Sequence, residues 1–104
     1  MARVAFKMKM FPGLEAEYQK RHDEIWPELV TLLKETGISE YSIYLDPETN
    51  SLFGVLKADD PSALNNLPSN QVMQKWWAYM KDIMESNSDN SPVSISLKEV
   101  FYLP

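Results

Sequence analysis

The apolar residues of this 104-residue chain switch between a period of two and a period of 3.6, and the order of the switches restricts the fold more than any single residue does. Residues 3–10 put Val4, Phe6, Met8 and Met10 on one side and Arg3, Ala5, Lys7 and Lys9 on the other, as a half-buried strand requires. Pro12-Gly13 ends that pattern. From Leu14 the apolar residues recur at Tyr18, Ile25, Leu29, Leu32 and Leu33, a helical spacing that stops at Gly37. A long first helix is expected, kinked near Pro27, whose ring removes a hydrogen-bond donor. Residues 38–45 alternate again, with Tyr41, Ile43 and Leu45 facing one way and Ser42 and Tyr44 the other. Turn chemistry at 46–50 and a partner strand at 51–58 predict a hairpin. A second helical region follows Ser62 and is best defined over 70–84, where Val72, Met73, Trp76, Trp77, Met80, Ile83 and Met84 form a broad apolar stripe. The polar loop 85–92 then leads to a last expected strand over 94–103.

The order β-α-β-β-α-β predicts an α+β fold of the ferredoxin-like kind, an antiparallel sheet with two helices on one face. A chain of this length holds one core, so 1–104 is read as a single domain. Two helices cover one side of the sheet only. Strands with apolar residues on both sides, such as Tyr44, Val100 and Tyr102 opposite Ile43 and Phe101, therefore predict that the uncovered side meets a second copy in a homodimer.

Charge and composition exclude several function classes. Ten basic against fifteen acidic residues give a net charge of −5, which repels nucleic acid and anionic membranes. No apolar run approaches spanning length, and the N-terminal MARVAFKMKMF lacks the layout of a signal peptide. The absence of cysteine removes disulfides and thiolate chemistry and fits a reducing, cytoplasmic setting. One histidine and scattered carboxylates offer no metal set, the three isolated glycines no phosphate loop, and the serines no nucleophile elbow. No metal or cofactor is expected. Acid–base chemistry or simple binding remains.

The buried stripe of the first helix runs Leu14, Tyr18, His22, Ile25, Leu29, Leu32, so the single histidine sits where helix geometry points at the core. Such a group is either an inert, hydrogen-bonded core residue or part of a cavity wall. Tyr18 lies one turn earlier on the same face and Trp26 one turn later, and Tyr41 shares the helix-facing side of its strand with Ile43 and Leu45. Trp76 and Trp77 diverge by about 100° on the second helix, so one ring can pack in the core while the other edges a cleft. Each is ordinary packing when taken singly. Together they describe the lining of a carbohydrate pocket, with flat rings for the C–H face of a sugar and a few polar tips for its oxygens.

The strings EYQKRHDEIWPEL (17–29), YSIYLD (41–46), QKWWAYMKDIM (74–84), DNSPVS (89–94) and EVFYLP (99–104) resemble the L-rhamnose mutarotases, and the resemblance runs from Phe6 to Pro104. It implies a dimeric ferredoxin-like α/β barrel in the cytosol that interconverts the α and β anomers of L-rhamnose without a cofactor. It also implies that His22 is the catalytic proton donor and that Tyr18, Tyr41, Trp76 and Trp77 bind the sugar. The chain departs from the pattern at Asn87-Ser88-Asp89-Asn90, where the family commonly has a proline after the first asparagine; a looser loop is expected.

Mutarotation needs a proton delivered to the ring oxygen and one removed from the anomeric hydroxyl. An imidazole is the one side chain that does this near neutrality without a perturbed pKa. Two other readings predict different behaviour. A cofactor-independent monooxygenase of the same fold would consume oxygen with an aromatic substrate, and a non-catalytic sugar-binding module would bind rhamnose without accelerating anomer exchange.

Overall fold

The period-two alternation at the N-terminus forms β1 (Ala2–Lys9), which pairs antiparallel with β3 (Ser51–Ala58) from Ala2 opposite Ala58 to Lys9 opposite Ser51. The computed structural model describes residues 2–104. β2 (Ile38–Asp46) pairs with the other edge of β3, and β4 (Ile95–Ser96) pairs with β1 at Phe6 and Lys7. The sheet order is β2-β3-β1-β4 with every neighbour antiparallel, the ferredoxin-like arrangement expected from the element order.

The first helix is interrupted rather than kinked. It is two helices, α1 (Glu15–Asp23) and α2 (Pro27–Glu35), separated by Glu24–Trp26. Trp26 is extended, at φ −63° and ψ 134°, because a residue before proline is pushed out of the helical region, and Pro27 then opens α2 where its missing N–H costs nothing. A 3₁₀ segment over Pro61–Ser69 precedes α3 (Gln71–Met80), which Asn70 caps by accepting from the Val72 N–H at 2.9 Å. This helix ends four residues earlier than its apolar stripe. Ile83 and Met84 are nonetheless buried, because a turn folds them back and Met84 bridges Met10 at the end of β1.

The last strand is much shorter than the 94–103 expected. After Ser96 one further backbone bond forms, from the Leu97 N–H to the Ala5 carbonyl at 2.9 Å. The rest of the tail is held by side chains. Arg3 donates to both carboxylate oxygens of Glu99 at 2.7 and 3.1 Å and lies 3.4 Å over the Tyr102 ring. Val100, Phe101 and Leu103 are 88%, 78% and 78% exposed, since a single chain offers no layer to cover them.

One irregularity positions the site. Between Ser39 and Ser42 the β2–β3 register slips by one residue, and Glu40 takes a left-handed φ of 50°. Ile38, an even-numbered position, faces the core, and beyond the bulge the odd-numbered Tyr41, Ile43 and Leu45 do so instead. Without the extra residue Tyr41 would point to the other side of the sheet.

Candidate active site

A cavity of about 1070 Å³ lies between the helices and the sheet. It is at the upper end of small-molecule pockets. Its wall takes Phe6 and Met8 from β1, Tyr18 and His22 from α1, Tyr41 from β2, and Trp76 and Trp77 from α3. All five residues singled out from the sequence therefore line one space.

His22 is half-buried, and its Nδ1 lies 3.0 Å from the carbonyl oxygen of Tyr18, one helical turn earlier. A carbonyl only accepts, so Nδ1 carries the proton and Nε2 is the nitrogen left for the cavity. Burial lowers the pKa of His22 from 6.5, and the Tyr18 carbonyl and Asp23 offset this in part. The resting imidazole is neutral. The phenol of Tyr18 stacks on the imidazole, with ring centroids 4.4 Å apart and planes 22° from parallel. Trp76 meets the imidazole edge-on at 5.5 Å, and Tyr41 meets Phe6 edge-on at 6.1 Å.

Both phenols are held neutral. Burial raises Tyr18 above the ordinary tyrosine value, helped by the proximity of Tyr41, and burial pushes Tyr41 up to about 12. Tyr41 keeps 38% of its surface accessible, yet it is a cavity-wall residue: its accessible area faces the cavity while protein packs densely around the group. Trp76 is 6% exposed and wedged in the core, whereas Trp77 is half-buried on the cavity wall, the division of labour that their 100° divergence predicts.

Several neighbours were not legible as site residues. Trp26 stands edge-on to Trp76 at 5.1 Å, and Tyr79 stacks on Trp26 at 5.6 Å. Tyr79 lies three residues after Trp76, one turn along the helix, which is the only local signal it carries. Asn87 and Ser91 bring the 85–92 loop to the cavity. That loop, expected to be loose, is cross-tied: the Asn87 N–H donates to the Ser91 carbonyl at 2.7 Å, its side-chain amide donates to Ser91 Oγ at 3.1 Å, and Asp89 accepts from the Ser91 N–H at 3.0 Å. Among the described residues no three His, Asp or Glu side chains gather as a metal site would require. Among the described residues no helix is long and apolar enough to cross a membrane.

Comparison with known proteins adds an independent line. The family model described as L-rhamnose mutarotase matches residues 3–103. An L-rhamnose mutarotase of Brucella anthropi is 62% identical over 102 residues, covering 98% of this chain and 96% of that protein. One from Agrobacterium fabrum is 63% identical over 104 residues, covering 100% and 97%. The crystal structure of an L-rhamnose mutarotase from Formosa agariphila superposes with a TM-score of 0.93 at 51% identity over the whole of both chains. An antibiotic biosynthesis monooxygenase superposes with a TM-score of 0.60 at 12% identity, covering 96% of this chain and 99% of that one, a likeness of fold alone. From the match along nearly its whole length, the chain belongs to the L-rhamnose mutarotase family.

Proposed function

We propose that this chain interconverts the α and β anomers of L-rhamnose by opening and reclosing the pyranose ring, with His22 as the group that moves the proton. The observation that carries this reading is the convergence of His22, Tyr18, Tyr41, Trp76 and Trp77 on one cavity in a chain of this family.

The hydrogen bond from Nδ1 to the Tyr18 carbonyl supports a single-nitrogen shuttle. Nε2 of the neutral imidazole takes the proton of the anomeric hydroxyl, the C1–O5 bond breaks as the C1 oxygen becomes a carbonyl, and the ring oxygen leaves as an alkoxide. The imidazolium then gives that oxygen the proton. Rotation about C1–C2 presents the other face of the aldehyde, and the same transfers in reverse close the ring. His22 is thus the proton donor to the ring oxygen and its own base. The phenols, held neutral by burial, suit hydrogen bonding to sugar hydroxyls rather than proton abstraction. Trp77 offers a flat apolar face for the C–H side of the sugar, and Trp76 backs the imidazole. Acid–base help of this kind is worth about a hundred- to ten-thousandfold.

Saturation-transfer NMR on L-rhamnose tests the reading. His22→Ala is expected to retain the fold by circular dichroism and lose catalysed exchange between the anomeric signals; exchange at the parent rate would remove the catalytic role. The cysteine-free sequence supports a cytoplasmic setting. A homodimer is supported by the exposed Tyr44 and Val55 on the uncovered sheet face and by the exposed apolar tail. Sedimentation at micromolar concentration is expected to give twice the chain mass, and a stable monomer would refute the dimer.

A further inference from the structure

The guanidinium of Arg21, the residue before His22, reaches across to the end of α3. It donates through Nε to Glu17 at 2.7 Å, and through Nη1 and Nη2 to the two oxygens of Asp82 at 2.8 and 3.1 Å. Nη1 also donates to the backbone carbonyl of Tyr79 at 2.6 Å, and the group lies 4.4 Å over the Tyr79 ring. Its side chain is only 10% exposed. All three nitrogens of this cation donate, to Glu17 on α1, to the Tyr79 carbonyl on α3 and to Asp82 in the turn that follows α3.

From Tyr79 the contacts lead back to the imidazole through rings alone. Tyr79 stacks on Trp26, Trp26 stands at 87° to Trp76, and Trp76 stands at 90° to His22. Trp26 occupies the break between α1 and α2 and is tied to α2 through its carbonyl, which accepts from the Leu29 and Val30 N–H groups at 3.0 and 3.1 Å, while α1 is joined to it through the short 24–25 connection. α1 itself is only nine residues long and has no side-chain N-cap, so its position depends on tertiary contacts. A peripheral ion pair would touch none of these rings.

We infer that Arg21 is a positioning residue: by clamping α1 to the end of α3 over Tyr79, it sets the distance and orientation of the His22 imidazole relative to Trp76. This rests on the proposed role of His22. A lysine keeps the charge but cannot reproduce the forked contact with Asp82 and the flat stacking on Tyr79. If the clamp is loosened, α1 shifts against α3, and a displacement of about 1 Å at the imidazole is enough to cost up to about a hundredfold in rate. Water also gains access to the ring, which moves its pKa upward toward the ordinary value because burial is what lowers it.

The test compares Arg21→Gln, Arg21→Lys and Asp82→Asn with the parent in anomer exchange measured against L-rhamnose concentration and pH, each well below its melting temperature. Arg21→Gln is expected to lower kcat by about tenfold or more with a smaller change in KM, and to move the acid limb of the pH profile upward. Asp82→Asn, which leaves the Glu17 pair intact, is expected to do the same to a lesser degree, and Arg21→Lys to restore only part of the loss. Should Arg21→Gln not fold, Asp82→Asn decides by the same readouts. A lowered melting temperature with kcat and the pH limb of the parent would reduce the cluster to a structural ion pair and overturn the inference. His22→Ala separates the two readings. If it retains exchange, the catalytic role fails and the inference with it; if it is inactive while Arg21→Gln and Asp82→Asn match the parent, the clamp alone fails.

Discussion

Replacing Gly54 by alanine puts a methyl group into space that the Phe6 ring occupies. Gly54 is buried on β3 directly opposite Phe6, and an added Cβ would lie 2.4, 2.5 and 3.0 Å from three atoms of that ring. Carbon atoms in contact sit about 3.5–4.0 Å apart, so the ring must retreat by about 1 Å. It is the outer end of the side chain that has to move, which keeps the stability cost moderate. Overpacking costs about 1–3 kcal/mol, and alanine recovers about 0.5–1 kcal/mol of the backbone entropy that glycine loses in a strand. The net loss is about 0–2.5 kcal/mol, and each kcal/mol corresponds to a fall in melting temperature of about 4–8 °C in a domain of this size. Retreat away from the sheet carries the ring toward the cavity whose wall it shares with Tyr41. The functional effect should therefore exceed the stability effect: Gly54→Ala is expected to raise KM for L-rhamnose severalfold while the protein still unfolds cooperatively. Urea unfolding and NMR anomer exchange measure the two quantities on one sample. Gly54→Ala/Phe6→Leu, which removes the crowded ring atoms, is expected to recover stability but not the brace on Tyr41. A Gly54→Ala protein with the parent's stability and KM would refute the coupling between the glycine, Phe6 and the cavity.

Because the resting imidazole is neutral, exchange should be flat through pH 7 and decline as the pH falls below 6.5, the ordinary value from which burial lowers His22. Tyr41, pushed up to about 12 by burial, should add no alkaline limb near neutrality. A rate that rises on acidification from neutrality would show that imidazolium is the working resting form. The unfolded chain takes up the histidine proton first, so the stability linked to this group is complete above pH 6.5 and declines below it, measurable by urea unfolding as a function of pH. Trp76→Ala, which empties a core position, is expected to cost about 3–5 kcal/mol. Trp77→Ala is expected to leave the melting temperature within a few degrees and act mainly on sugar affinity, and equal destabilisation by the two would contradict the assignment of one ring to the core and the other to the cavity.

Much of the fold is legible in local pattern because each element carries its own periodicity. The alternation in residues 3–10, the stripe through Leu29 and the hairpin about 46–50 all appear where the spacing places them. The differences arise where distant contacts compete with local pattern. The apolar stripe of α3 continues to Met84, but the backbone leaves the helix after Met80 so that Met84 can pair with Met10, a contact between residues remote in sequence. The 94–103 segment alternates like a strand yet its pairing with β1 ends at Leu97, since alternation states which residues seek burial and cannot supply the surface that buries them.

The site divides the same way. Residue types and helical spacing by themselves determined that His22 and Tyr18 share the inward face of α1 and that Trp76 and Trp77 must diverge, because a side chain's direction on a helix follows from its index. Alternation put Tyr41 with Ile43 and Leu45; tertiary structure alone decided that Ile38 joins them on that face, through one extra residue in β2 and a left-handed Glu40, and the company of Arg21, whose partner Asp82 lies 61 residues away in the turn after α3. A bulge is defined by the register of the strand beside it, and a clamp by the element it reaches. Neither has a local signature, because the physical cause of each lies on the far side of the contact.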